Sequence, residues 1–248
     1  MEAACLGAFM LSASVTGVLL EHPLSGIHQS LEDPMLRRAL AGVAMGLTAI
    51  ALVCSPWGKR SGGHMNPALT LTFFSLGKIA WKDAGFYVIA QFIGAIAGMQ
   101  AAAFAIGAPL GHTSVNYVVT SPGSRSGVAA AFAAELLISC LLMLAVLAVS
   151  NNRAISRWTP IVAGSMVAVY IWIEAPLSGM SMNPARTLGS AIAAREWTAL
   201  WIYFAAPLTG MMLAGQFYAR SFGFHRVLCA KLHHHNHARC IFHCRFAE

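Results

Sequence analysis

Six long apolar runs divide the chain and restrict its fold more than any other feature of the sequence. They cover approximately residues 3–20, 39–57, 84–107, 128–149, 161–173 and 197–219. Most approach the ~20 residues that a helix needs to cross the hydrocarbon core of a bilayer. Only 10% of the 248 residues are charged, against about 25% in a typical soluble domain. The sequence therefore predicts an all-α membrane protein with six transmembrane helices.

The positive charges between the runs predict how the chain lies in the bilayer. If both termini share one side, that side holds 11 of the 16 Lys and Arg residues. Cytoplasmic loops carry the excess of positive charge, so we expect both termini in the cytoplasm and a multi-pass protein of the plasma (inner) membrane. This asymmetry accounts for the net charge of +7, and we expect no nucleic-acid partner. No basic region precedes the first run, which is therefore expected to be a span and not a signal peptide.

One eleven-residue stretch occurs twice. SGGHMNPALTL covers residues 61–71 and SGMSMNPARTL covers residues 178–188, with identical residues at eight of the eleven positions. Three apolar runs fall in each half of the chain, in repeat one (1–107) and repeat two (128–220). Because three is an odd number, the second half should cross the membrane in the opposite sense to the first. The sequence therefore predicts an inverted 3+3 repeat, whose functional site lies near the middle of the bilayer.

A short helical pattern follows each Asn-Pro pair, at residues 68–76 and 185–194. Proline is well suited to the first turn of a helix, and each segment is too short to span. We therefore expect two re-entrant half-helices whose amino ends meet inside the protein. Asn66 and Asn183 would cap them and turn their side-chain NH₂ groups toward a cavity. The partial positive charge at the helix ends would repel cations and protons but admit neutral molecules.

Landmarks elsewhere in the chain complete a resemblance to the major intrinsic protein family, the aquaporins and glycerol facilitators. Glu2 lies near the first run, Gln91 lies in YVIAQFIGA, and Glu135 lies in AAELLISC. The resemblance covers nearly the whole chain and implies an aquaporin-like channel domain over residues 1–224. It also implies a homotetramer of separate pores in the lipid bilayer, with water and small neutral solutes as the permeating molecules and no cofactor.

The resemblance also implies roles for individual residues. The central constriction would be formed by Asn66, Pro67, Ala68, Asn183, Pro184 and Ala185. Glu2 and Glu135 would accept hydrogen bonds from the re-entrant loops, with Gln91 and His64 as further bracing residues. Residue-level reasoning agrees for the two carboxylates, because an ionisable group within a span is costly and usually paired.

Four further positions would form the selectivity filter that the resemblance implies. Arg186 and Met180 lie three residues on either side of Asn183, and Ile171 lies twelve residues before it. The fourth position is Met45, or Gly46 if the preceding loop has no insertion. A water-selective filter in the family carries His where this chain has Ile171, so the ring should be wider and more apolar.

The residues after the arginine distinguish the two branches of the family. Glycerol facilitators carry Asp directly after the arginine and Lys or Arg four residues later, whereas this chain has Thr187 and Ala191. Tyr203 and Phe204 before Pro207 are also typical of aquaporins. Water is therefore the expected main solute, with glycerol, ammonia, urea or peroxide as secondary ones.

The sequence also bears on four other functions. A glycerol or small-solute facilitator of the same family is the nearest alternative. A proton-coupled secondary transporter could also use inverted repeats, but its coupling carboxylates should face the substrate, whereas Glu2 and Glu135 match loop-bracing positions. An adhesive membrane protein is disfavoured by the short loops. An enzyme is not expected, since the few polar residues assemble no nucleophile, base and oxyanion site.

Residues 225–248 form a basic tail rich in histidine and cysteine. The candidate metal ligands in it are His233, His235, His237, Cys240 and Cys244. Imidazole and thiolate are ligands that Zn²⁺ prefers, but the spacing matches no ordinary zinc module. The sequence therefore predicts no metal site, and a cytoplasmic tail that interacts weakly with lipid headgroups.

Overall fold

The computed structural model describes residues 1–124 and 126–246. Six long helices form the bundle: Glu2–Glu21, Pro34–Cys54, Trp81–Ile106, Gly127–Ser150, Thr159–Ser178 and Ile202–Phe222. We number them first to sixth in chain order. Two half-helices, Pro67–Ser75 and Pro184–Ala194, follow the second and the fifth long helix. Shorter helical segments complete the connections: Gly26–Ser30, Pro56–Ser61, Ala108–Gly111, Asn116–Val118, Ser156–Trp158 and Phe224–Arg226.

The six long helices have the dimensions of membrane spans. The first five are both long enough and apolar enough to cross a bilayer. The sixth has 21 residues, which also suffices for the hydrocarbon core. It begins at Ile202 and not at Trp197 as expected, because residues 198–201 form turns. The predicted all-α membrane fold is confirmed.

Helix packing in the bundle repeats between the two halves of the chain. The first helix packs on the third, and the fourth packs on the sixth in the same way. The second and fifth helices, which occupy equivalent places in the two halves, form the most extensive pair. Each half-helix packs on a long helix of the other half, the first on the sixth and the second on the third. This reciprocal packing of the two half-helices agrees with the inverted repeat that the odd number of spans predicts.

Glycines allow the paired helices to approach closely. On the third helix, a Cβ at Gly94 would overlap the carbonyl oxygen of Ala3, and one at Gly98 would lie 2.5 Å from that of Gly7. Gly46 and Gly164 face each other across the second and fifth helices in the same manner. Small residues are the usual means by which transmembrane helices gain contact area.

We expect Gly94→Ala to lower the thermal unfolding midpoint of the detergent-solubilised protein, because the added methyl group must push the first and third helices apart. Overpacking of this kind typically costs about 1–3 kcal/mol. Gly85→Ala is the matched control in the same helix, since a Cβ there meets no atom within 4 Å. Equal midpoints for the two variants would contradict the close packing at Gly94.

The tail packs against loops of both repeats. The Leu232 N–H donates to the carbonyl of Gly62 (3.1 Å), and the His243 N–H donates to that of Lys78 (3.1 Å). On the other repeat, Asn151 Oδ1 accepts from the Leu228 N–H at 2.6 Å. The tail therefore covers one end of the bundle instead of extending away from it. We call this end the tail face.

Candidate pore and its constrictions

A cavity of ≈ 290 Å³ extends inside the bundle from Glu21, at the end of the first helix, to Leu232 in the tail. Its walls include side chains of both repeats, among them Asn66 and Asn183. Each of these asparagines is 8% exposed. Polar groups of the two repeated motifs thus face one shared and otherwise mainly apolar passage.

The two asparagines cap the half-helices. Asn66 Oδ1 accepts from the Ala68 N–H at 2.9 Å. Asn183 Oδ1 accepts from the N–H groups of Ala185 at 3.1 Å and Arg186 at 3.3 Å. Both half-helices begin at the proline that follows, so their amino ends are directed toward the cavity.

Each asparagine also bonds to the loop of the other repeat, which the sequence did not indicate. Asn66 Nδ2 donates to the Met182 carbonyl at 2.7 Å, and Asn183 Nδ2 donates to the Met65 carbonyl at 2.7 Å. Met65 and Met182 have φ values of 50° and 54°, a left-handed conformation that non-glycine residues rarely adopt. An amide group has two N–H donors, so one on each asparagine is left for a molecule in the cavity.

The cavity is electropositive at this point. The amino ends of two half-helices each contribute a partial charge of about +0.5, and the guanidinium of Arg186 also lies on the wall. Its Nη1 is buried, with no hydrogen-bond partner in the described part of the chain. A cation entering here would lose water and be repelled by these positive charges, whereas the oxygen of a neutral hydroxyl would be bound by the amide donors.

Glu2 ties down the first re-entrant loop. Its Oε1 accepts from Ser61 Oγ at 2.6 Å and from the His64 N–H at 3.2 Å. Its Oε2 accepts from the Met65 N–H at 2.6 Å and from Gln91 Nε2 at 2.8 Å. Four donors on one carboxylate hold the loop where an unpaired backbone N–H would be costly.

Glu135 does the same for the second loop. Its Oε1 accepts from Ser178 Oγ at 2.8 Å and from the Ser181 N–H at 2.6 Å. Its Oε2 accepts from the Met182 N–H at 2.7 Å. The first two of these donors occupy the repeat positions of Ser61 and His64, so the bracing follows the internal symmetry.

Two tyrosines add a second tie to each loop. Tyr87 donates its hydroxyl to the Ser61 carbonyl, and Tyr203 donates to the Ser178 carbonyl, both at 2.5 Å. Sequence reasoning noted Tyr203 only as a family trait and missed Tyr87. Both tyrosines lie in the amino-terminal turns of their helices, the third and the sixth, but the 117-residue offset of the motifs aligns Tyr87 with Phe204, so direct alignment of the repeats does not pair them.

Both ring nitrogens of His64 have hydrogen-bonding partners. Its Nδ1 lies 3.0 Å from Thr70 Oγ1, and its Nε2 lies 2.8 Å from the Ala230 carbonyl. A carbonyl only accepts, so Nε2 carries a proton. Phe242 stacks on the ring at 5.4 Å between centroids. His64 therefore joins the first re-entrant loop to the tail, a contact that sequence reasoning missed.

The four predicted filter residues line the same cavity. Met45, Ile171, Met180 and Arg186 all contribute to its wall. Gly46, the alternative to Met45, instead packs against the backbone of Gly164 on the fifth helix. Three of the four side chains are apolar, so Arg186 supplies the polar contact on this ring.

The candidate metal ligands of the tail divide into two groups. Cys240 and Cys244 lie together with Cys229 and His234, two residues absent from the prediction, and the four ligand atoms are within 4.8 Å of one another. The predicted candidates His233, His235 and His237 lie outside this group. Irregular spacing along the chain concealed the grouping.

Comparisons with known proteins agree with this geometry. The chain matches the family model described as "Major intrinsic protein" over residues 2–218. It is 37% identical over 152 residues to the "Probable aquaporin NIP-type" of Nicotiana alata, covering 60% of this chain and 53% of that protein. It is 33% identical over 187 residues to the "Probable aquaporin NIP7-1" of Arabidopsis thaliana, covering 75% and 63% respectively. The chain spans about half the length of the curated relatives it matches.

A solved structure shares the fold. The "aquaglyceroporin from Plasmodium falciparum" superposes with a TM-score of 0.68 over 89% of this chain and 94% of that one, at 21% identity. The family match extends over the six spanning helices, both half-helices and both asparagines at the centre of the cavity. The chain therefore belongs to the major intrinsic protein family.

Proposed function

We propose that this protein is a passive transmembrane channel that conducts water and small neutral solutes and excludes ions and protons. The observation that carries the proposal is the pair of reciprocally bonded asparagines on one cavity wall. Each leaves one N–H donor for the passing molecule. A water held by both donors through its oxygen cannot relay a proton along a file of waters, and the helix-end charge opposes hydronium.

The ring formed by Met45, Ile171, Met180 and Arg186 supports a solute range wider than water alone. An arginine fork binds hydroxyl or carbonyl oxygens, and three apolar side chains leave room for carbon-bearing parts of a solute. Two kinds of relative support this range, since the curated ones are called aquaporins and the structural neighbour an aquaglyceroporin. A glycerol or small-solute facilitator is therefore the second candidate, favoured by this ring.

Proton-coupled transport is not supported by the site. The carboxylates of Glu2 and Glu135 accept hydrogen bonds from the re-entrant loops. Neither residue is among the described residues that line the cavity. A coupling carboxylate would have to exchange protons with that cavity.

Stopped-flow light scattering on proteoliposomes tests the proposal. Osmotic shrinkage should be fast compared with empty liposomes, glycerol entry should be measurable but slower, and an enclosed pH dye should report no proton leak. The paired variant Asn66→Ala/Asn183→Ala, reconstituted at equal density, should lose most of the water permeability. Uphill solute uptake driven by a pH gradient would contradict a passive channel.

We further propose that the protein assembles as a homotetramer with both termini in the cytoplasm, and that it resides in the plasma (inner) membrane. The excess of Lys and Arg on the tail face supports this orientation. Cysteine labelling at Arg239→Cys in right-side-out vesicles, read with an impermeant reagent, should show protection in a chain whose six natural cysteines are replaced by serine.

A further inference from the structure

The cysteine and histidine cluster of the tail has a composition that the pore does not use. Cys229, His234, Cys240 and Cys244 each offer one ligand atom, and all four atoms lie within 4.8 Å of one another. Three sulfurs and one imidazole nitrogen form a ligand set typical of structural zinc sites. Ca²⁺ and Mg²⁺, which need oxygen ligands, are excluded by the same set.

The spacing of the ligands is close to that of a loaded site. A tetrahedral zinc with Zn–S bonds of about 2.3 Å holds its sulfurs about 3.8 Å apart. Cys229 Sγ and Cys240 Sγ are 3.4 Å apart. The remaining ligand pairs lie within 4.8 Å, so shifts of about 1 Å at the ligand atoms would bring the group around one ion.

Backbone amides are directed at the sulfurs. The Lys231 N–H donates to Cys229 Sγ, and the Phe246 N–H donates to Cys244 Sγ, both at 3.4 Å. Each donor lies two residues after its cysteine. Hydrogen bonds to sulfur stabilise the thiolate, which is the form that binds a metal.

Cys240 receives similar support. The Phe242 backbone N–H and the Cys229 thiol, whose sulfur lies 3.4 Å away, are both hydrogen-bonding partners of its sulfur.

His234 contributes a ring nitrogen to the cluster. Its Nε2 is buried and has no hydrogen-bond partner among residues 1–124 and 126–246. The ring stacks on Phe246 at 4.2 Å between centroids, which fixes its plane. Buried nitrogens without partners are rare in folded proteins.

Two buried lysines balance the charge. Lys231 is 2% exposed and Lys78 is 7% exposed, and both lie near the cysteines. One Zn²⁺ with three thiolates carries a net charge of −1, which these ammonium groups would compensate.

We propose that Cys229, His234, Cys240 and Cys244 bind one zinc ion, which fastens the tail across the tail face of the pore. Binding forms three Zn–S bonds and one Zn–N bond, and the thiol protons pass to solvent. The segment between the first two ligands contains Ala230, bonded to His64, and Leu232, which lines the cavity. The site therefore holds the part of the tail that meets the pore.

The metal content of the purified full chain tests this directly. The protein should carry a purification tag other than polyhistidine, be incubated with zinc alone, and be desalted before elemental analysis. We expect about one zinc per chain in the unmodified protein and in His237→Ala, a control that removes a tail histidine outside the site. Cys240→Ser should weaken zinc binding by more than the roughly 10–100-fold that loss of an outer-shell partner costs, measured by competition with a chromophoric chelator.

Two further readouts do not depend on a variant. Replacement of zinc by Co²⁺ should produce thiolate-to-cobalt charge transfer and the intense visible bands of a tetrahedral complex. Chelation should speed hydrogen exchange at the amides of Lys231 and Phe246, which bond to the sulfurs.

Two results would overturn the proposal. One is a zinc content in the unmodified chain no higher than in Cys240→Ser, without a tetrahedral cobalt spectrum. The other is a disulfide between Cys229 and Cys240, found by peptide mapping of protein isolated with its thiols blocked, since that bond would consume two ligands.

Discussion

Proteoliposomes carrying Arg186→Val are expected to conduct cations and protons that the unmodified protein excludes. The guanidinium lies on the cavity wall with its Nη1 buried and unpaired within the described chain. A monovalent cation 4 Å from this charge is repelled by about 4 kcal/mol at an effective dielectric constant of 20. Removing that barrier corresponds to an increase in cation flux of up to roughly a thousandfold.

The measurement combines a pH dye with a potassium-diffusion potential in vesicles of equal protein density. Arg186→Lys keeps the charge but not the planar fork, so it should still exclude cations and differ mainly in its solute preference. Arg195→Asn is the second control, because Arg195 is exposed at the opposite end of the same half-helix and has a φ of 55° that Asn tolerates. Unchanged selectivity in Arg186→Val would remove Arg186 from the filter.

Replacement of Glu135 by alanine is expected to destabilise the protein by several kcal/mol, on the order of 1–3 for each donor it leaves unpaired. Three donors, from Ser178, Ser181 and Met182, would lose their acceptor inside the bundle. Each buried donor left without a partner costs about 1–3 kcal/mol. Most of the variant should therefore aggregate or unfold at lower temperature, as judged by size-exclusion chromatography after a temperature series.

Glu174→Ala provides a matched comparison. Glu174 lies on the fifth helix and is 5% exposed, yet neither of its carboxylate oxygens has a hydrogen-bond partner in the described ranges. Its removal should leave the unfolding temperature nearly unchanged or raise it. If Glu135→Ala and Glu174→Ala behaved alike, the loss at Glu135 would reflect burial of a carboxylate and not anchoring of the loop.

Features that repeat within the sequence could be predicted, and features that depend on long-range docking could not. The half-helices follow from an Asn-Pro pair before a segment too short to span, so Asn66 and Asn183 are recognisable as caps without coordinates. The bonds from these amides to the Met65 and Met182 carbonyls require the two loops to face each other at close range. Only the assembled bundle establishes that distance.

The metal-ligand group of the tail also depends on long-range docking and could not be predicted from the sequence. Its ligands are separated by gaps of five, six and four positions from Cys229 to Cys244, which is not a spacing that a local motif would impose. His234 joins the cluster and its neighbours His233 and His235 do not, because docking on Gly62 and Lys78 sets the path of the backbone. Without that path, the seven histidines and cysteines of residues 233–244 cannot be divided into ligands and non-ligands.

The hydrogen bond between His64 and the tail lies next to a hydrogen bond at the centre of the cavity. Met65, the next residue along the chain, holds the Asn183 amide through its carbonyl oxygen. A displacement of the tail at Ala230 would therefore act one peptide unit away from the asparagine pair in the cavity. We expect a reporter fused at the carboxyl-terminal end to disturb this contact, so transport should be assayed on the chain without such a fusion.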